Sequence, residues 1–144
     1  MDNISINKKY TIKDKRSLKR KLDVKQKKVF ILEDNNQRIN QFKIKLQGHD
    51  LHITNDVEEA KKILLANDFD YAFLDHDLGG KTYVDNNESN TGYQLAKWMA
   101  ESEIIPQIIV IHSLNTIGAK NMKAVLSSAM VVPFPTLING LNNA

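Results

Sequence analysis

Three short stretches of this chain collect residues able to grip a cation and handle a phosphoryl group. They are Glu33-Asp34, Asp75-His76-Asp77 and His112-Ser113, with Asn115 two places further on. Carboxylate oxygens are the ligands that hard divalent cations prefer. An imidazole titrates near an ordinary pKa of ~6.5, so it can take or give a proton at neutral pH. The pattern centres on Tyr71-Ala-Phe-Leu-Asp-His-Asp-Leu-Gly-Gly80, where four apolar residues stop at two carboxylates, an imidazole and a glycine pair. Taken alone, Asp75-His76-Asp77 also reads as a solvated turn with an aspartate capping a helix. The two readings separate on whether other strands aim similar residues at the same place.

They do. Val29-Phe-Ile-Leu32 is an unbroken apolar run suited to burial on both faces of a parallel sheet, and it ends at Glu33-Asp34. Gln107 to Ile111, after Pro106, is the most apolar strand and ends at His112-Ser113-Leu114-Asn115. Leu51 to Thr54 and Met130 to Val132 supply two more strands. Between them lie helical patterns. The first carries Ile39, Phe42, Ile44 and Leu46 as apolar positions, stops at Gly48, and holds Arg38 in its first turn, within reach of the strand ends. The second has Asp56 as N-cap, Glu58 and Glu59 early, Lys61 and Lys62 later, and a stripe of Ala60, Ile63 and Leu64. The third runs from Thr91 to Met99, with Tyr93, Leu95, Ala96, Trp98 and Met99 inward. The fourth runs from Gly118 to Leu126, with Ala119, Met122 and Leu126 inward. After Pro133-Phe-Pro135 only Leu137 to Leu141 remains for a shortened last helix.

Alternation of this kind predicts a flavodoxin-like, doubly wound parallel α/β sheet of five strands in the order 2-1-3-4-5. Its ligand crevice lies at the switch point between the first and third strands. Glu33-Asp34 would face Asp75-His76-Asp77 there, with His112-Ser113 alongside. The segment Gly79 to Asn90 is longer than the about 2–6 residues usual between a strand and a helix. It reads as a lid over the site or as a disordered insertion.

The chain has 144 residues, 42% hydrophobic and 26% charged, which suits one soluble domain with a full core. No apolar run approaches the roughly 20 residues needed to span a bilayer. There is no apolar signal-peptide core, and zero cysteines exclude disulfides and thiolate metal sites. A cytoplasmic protein with no membrane partner is the expectation. Of 20 Lys and Arg, 11 fall within residues 1 to 28, against 3 of the 17 Asp and Glu. That leader is net +8, and the remainder, 9 basic against 14 acidic, is net −5. We therefore divide the chain into a basic N-terminal extension, 1–27, and a domain, 28–144. Residues 1 to 28 read either as an arm for nucleic-acid phosphates or an acidic partner, or as a solubilising tail. No Walker loop or dinucleotide fingerprint is present. His52-Ile-Thr54 fits half of a two-histidine phosphoesterase pattern whose second half is missing, so His49 and His52 are placed on a strand edge.

From residue 28 to 136 the chain resembles the receiver domain of response regulators. Glu33-Asp34 matches the acidic pair that binds magnesium in receivers, Asp75 the phosphate-accepting aspartate, and Ser113 the hydroxyl residue of the fourth strand. Receivers carry a lysine before a proline at the end of the fifth strand; here Val132 precedes Pro133. His76, His112 and Asp77 are further departures. These departures are similar to the cyclic-phosphate processing receiver domain, on Leu32-Glu-Asp34 with Arg38, Leu74-Asp-His-Asp-Leu-Gly79, Thr91-Gly92, and Ile111-His-Ser113 with Asn115 and Gly118. That resemblance implies an enzyme acting on a cyclic phosphate of a nucleotide or RNA end.

On this reading Asp34 and Asp75, then Glu33 and Asp77, are the ligands of a divalent metal. The metal would be magnesium, or manganese where a histidine joins. His112 and His76 are the general base and acid, Asp75 and Ser113 complete the catalytic set, and Arg38, Ser113 and Asn115 bind phosphate or substrate oxygens. The competing reading is a signalling or adaptor domain, phosphorylated on Asp75 or inactive.

Overall fold

The computed structural model describes residues 26–78 and 85–141. The basic extension up to residue 25, and residues 79–84 of the expected lid, lie outside the described residues.

Five strands form one parallel sheet in the order 2-1-3-4-5. They are β1 (Lys28–Leu32), β2 (Asp50–Thr54), β3 (Tyr71–Leu74), β4 (Ile108–Ile111) and β5 (Met130–Val131). The helices are α1 (Asn36–Lys45), α2 (Val57–Ala66), α3 (Gly92–Glu101), α4 (Thr116–Val125) and α5 (Phe134–Gly140). Side chains alternate across the sheet and so divide the core in two. Phe30, Leu32, Ala72, Leu74, Ile109 and Ile111 face α2, α3 and α4. Val29, Ile31, Tyr71, Phe73, Ile108 and Val110 face α1 and α5. Burial on both sides is why these strands read as unbroken apolar runs.

Register sets where the strands deliver their ends. Leu32 pairs with Leu74, and Leu74 with Ile111. The ladder continues one step further, as the Asp75 amide donates to the Leu32 carbonyl and the His112 amide to the Leu74 carbonyl. Glu33, Asp75 and His112 therefore emerge in one row.

Four helices begin at capping side chains, from Asn35, Asp56, Thr91 and Asn115. Each accepts a first-turn backbone N–H that has no partner inside the helix. Three expectations change. Ile44 is exposed, because Phe42 and Leu46 carry the buried face of α1 and Ile44 lies about 200° around the helix from Phe42. The fourth helix starts at Thr116, since Asn115 caps it. The last helix starts at Phe134, because a proline in the first turn costs no helical hydrogen bond. Trp98 is only partly buried, with the Lys61 ammonium 5.9 Å from its ring centroid. His52 lies on the edge strand β2, 3.2 Å from Asp50. His49 Nδ1 accepts the Lys27 amide at 3.0 Å, and burial, then the Lys27 charge, pulls its pKa below the ordinary value. None of the described helices is long and apolar enough to cross a membrane.

Candidate functional site

The alternation that divides the core also divides the chemistry. Residues Glu33, Asp75 and His112 continue the sheet face that packs on α1 and α5. His76 and Ser113, one step on, continue the face that packs on α4.

Glu33 is the hub of the first group and is fully buried. Its Oε2 accepts the backbone N–H groups of Asp34 and Asn35, each at 3.0 Å. The same oxygen accepts Arg38 Nη2 at 3.1 Å, and Oε1 lies 2.9 Å from His112 Nε2. The cap at Asn35 fixes the first turn of α1 and so sets Arg38 over the strand ends. Arg38 Nη2 also reaches Asp75 Oδ2, at 3.4 Å. The His112 ring is held between Phe42 and Phe134, with centroids 5.4 and 5.9 Å away. Phe42 stands one helical turn beyond Arg38 on the same face of α1, a placement the sequence spacing carries.

Burial alone would raise the Glu33 pKa. The His112 hydrogen bond and charge, the Asn35 amide and Arg38 outweigh it and bring it to about 2. Asp75 moves the other way. Burial raises its pKa, the neighbouring Glu33 adds to the rise, and His112, Arg38 and the His76 amide offset only part of it. Two carboxylates in one dry place thus hold protons very differently.

The second group lies under α4. His76 Nδ1 is 3.1 Å from Asp77 Oδ1, and Asn115 Nδ2 donates to the same oxygen at 3.2 Å. Both nitrogens are satisfied as donors when His76 carries its proton on Nδ1. The Asn115 side-chain oxygen accepts the Gly118 amide at 2.9 Å, and Ser113 Oγ accepts the Asn115 amide at 3.1 Å. Close packing here demands glycine. A Cβ on Gly118 would sit 2.6 Å from His76 Cγ, and one on Gly92 would sit 2.0 Å from the Asp75 carbonyl oxygen. The Gly92 amide donates to the His76 carbonyl at 2.9 Å. Helices α3 and α4 therefore clamp Asp75-His76-Asp77 from one side.

The nine expected site residues do not form a single cluster. Among the described residues, one group of side chains can hold a metal ion: Glu33, Asp75 and His112, whose ligand atoms lie within 4.8 Å of one another. Asp34, half-buried, and Asp77 stand outside that group. His76, Asp77 and Asn115 bond to each other, and Ser113 to Asn115. The donor set fits a divalent cation. Two carboxylates satisfy a hard ion, and an imidazole nitrogen shifts the preference from magnesium towards manganese. To ligate through Nε2, His112 must give up any proton it shares with Glu33. Its Nδ1, like Arg38 Nε and His76 Nε2, is buried with no hydrogen-bond partner among the described residues. A metal would also meet Arg38, which already lies against Glu33 and Asp75.

Parallel strands in this order, with carboxylates gathered at the ends of the first and third, define a receiver-like domain. The sequence model of the cyclic-phosphate processing receiver domain matches residues 28–128, and the chain belongs to that family. No curated protein matches. Solved structures share the fold. Response regulator TrrA from Thermotoga maritima, bound to Mg²⁺ and beryllofluoride, aligns at 17% identity and a TM-score of 0.58, over 76% of this chain and 89% of that one. A CheY-like receiver domain from Methylobacillus flagellatus aligns at 16% identity and 0.58, over 81% and 92%. The Mn²⁺-bound form of response regulator Rcp1 aligns at 14% and 0.56, over 78% and 87%.

Proposed function

We propose that this domain is a divalent-metal-dependent phosphoesterase, a hydrolase that opens a cyclic phosphate carried by a nucleotide or an RNA end. One observation carries the reading: two carboxylates and an imidazole from three adjacent strands converge within 4.8 Å, beside an arginine. Receiver structures that bind Mg²⁺ and Mn²⁺ support a cation at these strand ends. Glu33, Asp75 and His112 would hold the metal. Such a metal polarises a phosphoryl oxygen and makes bound water more acidic.

The chain's own residues supply the rest. Arg38 pairs with phosphoryl oxygens and offsets their growing charge, since Val132 stands where receivers carry lysine. Asp75 would bind the cation as a carboxylate, so it is not the acid: water forms the new P–O bond, the ring P–O bond breaks, and the proton lost by that water passes through solvent to the released ester oxygen. His76 is a positioning residue that keeps the Asp75–Asp77 backbone fixed through Asp77 and Asn115. The packed phenylalanines beside His112 exclude water from that side. The sequence expectation of a cytoplasmic setting belongs to the same proposal, as does an arm for RNA in the basic extension.

The test is turnover of 2′,3′- and 3′,5′-cyclic nucleotides and cyclic-phosphate RNA ends with Mn²⁺ or Mg²⁺. Ring opening that stops on chelation is expected; silence on every substrate with both metals would overturn the reading. A second reading, phosphorylation of Asp75 as in signalling receivers, is favoured by its place at the end of β3. It predicts covalent modification by acetyl phosphate.

A further inference from the structure

A cavity of about 320 Å³ opens beside the strand ends, between α4 and the edge strand β5. Ser113, Thr116, Ala119, Lys120, Val131 and Pro133 line it, with Lys123. Ser113 follows His112 directly, so the cavity begins where the candidate metal and phosphoryl site ends. Its size falls in the about 300–1,000 Å³ range of small-molecule sites. A larger hollow of about 520 Å³, lined by residues such as Asn67, Phe69, Ser102 and Pro106, lies at the opposite ends of the strands and shares no residue with the site.

The lining of the smaller cavity is uneven. Ala119, Val131 and Pro133 offer aliphatic surface, Ser113 and Thr116 offer hydroxyls, and Lys120 stands exposed at the rim. Lys123 is engaged elsewhere, donating to the Ser127 and Ala129 carbonyls, which closes the turn into β5. Val131 is 40% exposed although it is aliphatic and sits in the sheet. The aliphatic surface of Val131 and Pro133 suits the face of a flat base, and the two hydroxyls suit the polar atoms of that base or the sugar's free hydroxyl. Aliphatic surface and hydroxyls that begin one residue beyond His112 suit a nucleoside whose phosphate lies at the strand ends.

We propose that this cavity is the subsite for the nucleoside of a nucleoside cyclic phosphate whose phosphoryl group sits at Arg38 and Asp75. The inference rests on the function proposed above and names the part of the substrate that the metal and arginine do not read. It makes the substrate a nucleotide rather than any strained cyclic phosphodiester, and makes α4 and β5 the elements that select it.

The experiment compares adenosine 2′,3′-cyclic phosphate with ethylene phosphate, a cyclic phosphate without a nucleoside, on the full chain with Mg²⁺. Amide shifts in ¹H–¹⁵N spectra and dissociation constants are recorded for wild type and the charge-neutral variants Val131→Asn and Thr116→Val. Thermal unfolding checks that each variant is folded. Thr116 is exposed in the first turn of α4, so its variant tests the cavity even where Val131→Asn unfolds. The nucleotide is expected to shift the amides of Thr116, Ala119 and Val131, which ethylene phosphate leaves in place. It is also expected to bind about fivefold more weakly to the variants, as an aliphatic contact or a hydrogen bond to the nucleoside is lost. Ethylene phosphate should bind all three proteins alike. If both ligands bind wild type equally, or the variants weaken both equally or neither, the nucleoside subsite is overturned while the metal site stands. If neither ligand binds or is opened, the proposed function itself falls, and the subsite with it.

Discussion

The two polar groups at the carboxyl edge of the sheet are built differently. Around Glu33, charge meets charge: two carboxylates, a guanidinium and an imidazole share few partners, and those partners can be exchanged for a ligand. Around His76, Nδ1 is matched by short local bonds to Asp77 and Asn115, and α4 closes over the ring where Gly118 leaves room. In the first, Glu33 is well paired, but Asp75 carries burial and repulsion from Glu33 that an apo protein would do better without. The second is held like a core. Strained electrostatics in one place and satisfied packing in the other is the pattern expected of a site and its support. Removing the Asp75 charge should therefore cost function without stability, whereas disturbing the His76 group should cost stability.

The sharpest separation comes from Asp75→Asn. It should lower cyclic-phosphate turnover by about 10³-fold, on the scale of losing a principal charged group in an active site. Because burial raises the Asp75 pKa, its ionised form is disfavoured in the folded state, and the neutral amide should raise Tm at pH 7. A lowered Tm, measured beside initial rates, would erase the distinction.

Glu33 behaves oppositely in acid. Its pKa falls from 4.5 to about 2 on folding, so its contribution is full above pH 4.5 and is lost as pH drops through about 2. That contribution is at most roughly 3 kcal/mol. Asp75 pulls the other way, since protonation relieves its burial. In Glu33→Gln the fall in unfolding free energy between these two pH values should flatten, as followed by urea titrations.

Gly118→Ala strikes the second group. The added methyl overlaps the His76 ring and should cost about 1–3 kcal/mol. Mn²⁺ affinity of the folded fraction should stay at the wild-type value, read by calorimetry. A large change in metal affinity would mean that the two groups are one.

The smallest effect separates Arg38 from the metal. Its guanidinium lies against the carboxylates that a cation would use. Arg38→Gln should tighten Mn²⁺ binding by about fivefold, roughly 1 kcal/mol, and weaken cyclic-phosphate binding. Both are measurable by calorimetry without turnover.

Much of this geometry was legible in the sequence. Apolar runs that stop at acids or histidine carry the strands, their order and the convergence of the three strand ends at Glu33-Asp34, Asp75-His76-Asp77 and His112-Ser113. What spacing did not resolve is which of two neighbours faces the site. Period-two alternation decides that, and it reaches one residue past each strand, where the Glu33 amide still donates to the Thr54 carbonyl. Glu33 rather than Asp34 joins Asp75 and His112, and His76 departs to the α4 side with Ser113. Reading Ile31 and Phe73 as one face and extending it by two residues reaches Glu33 and Asp75, the carboxylates that share a row with His112. The clamps of Gly92 and Gly118 need helix positions as well as strand register. The early start of α5 was hidden by prolines that a first turn tolerates.

The most direct measurement is anomalous scattering from a crystal soaked with Mn²⁺ and a slowly cleaved cyclic phosphorothioate nucleotide. The expected map has a manganese peak in contact with Glu33, Asp75 and His112 and a sulfur peak beside Arg38. Manganese bound elsewhere, or no peak among those three side chains at saturating metal, would contradict the assignment of this row as the reactive centre.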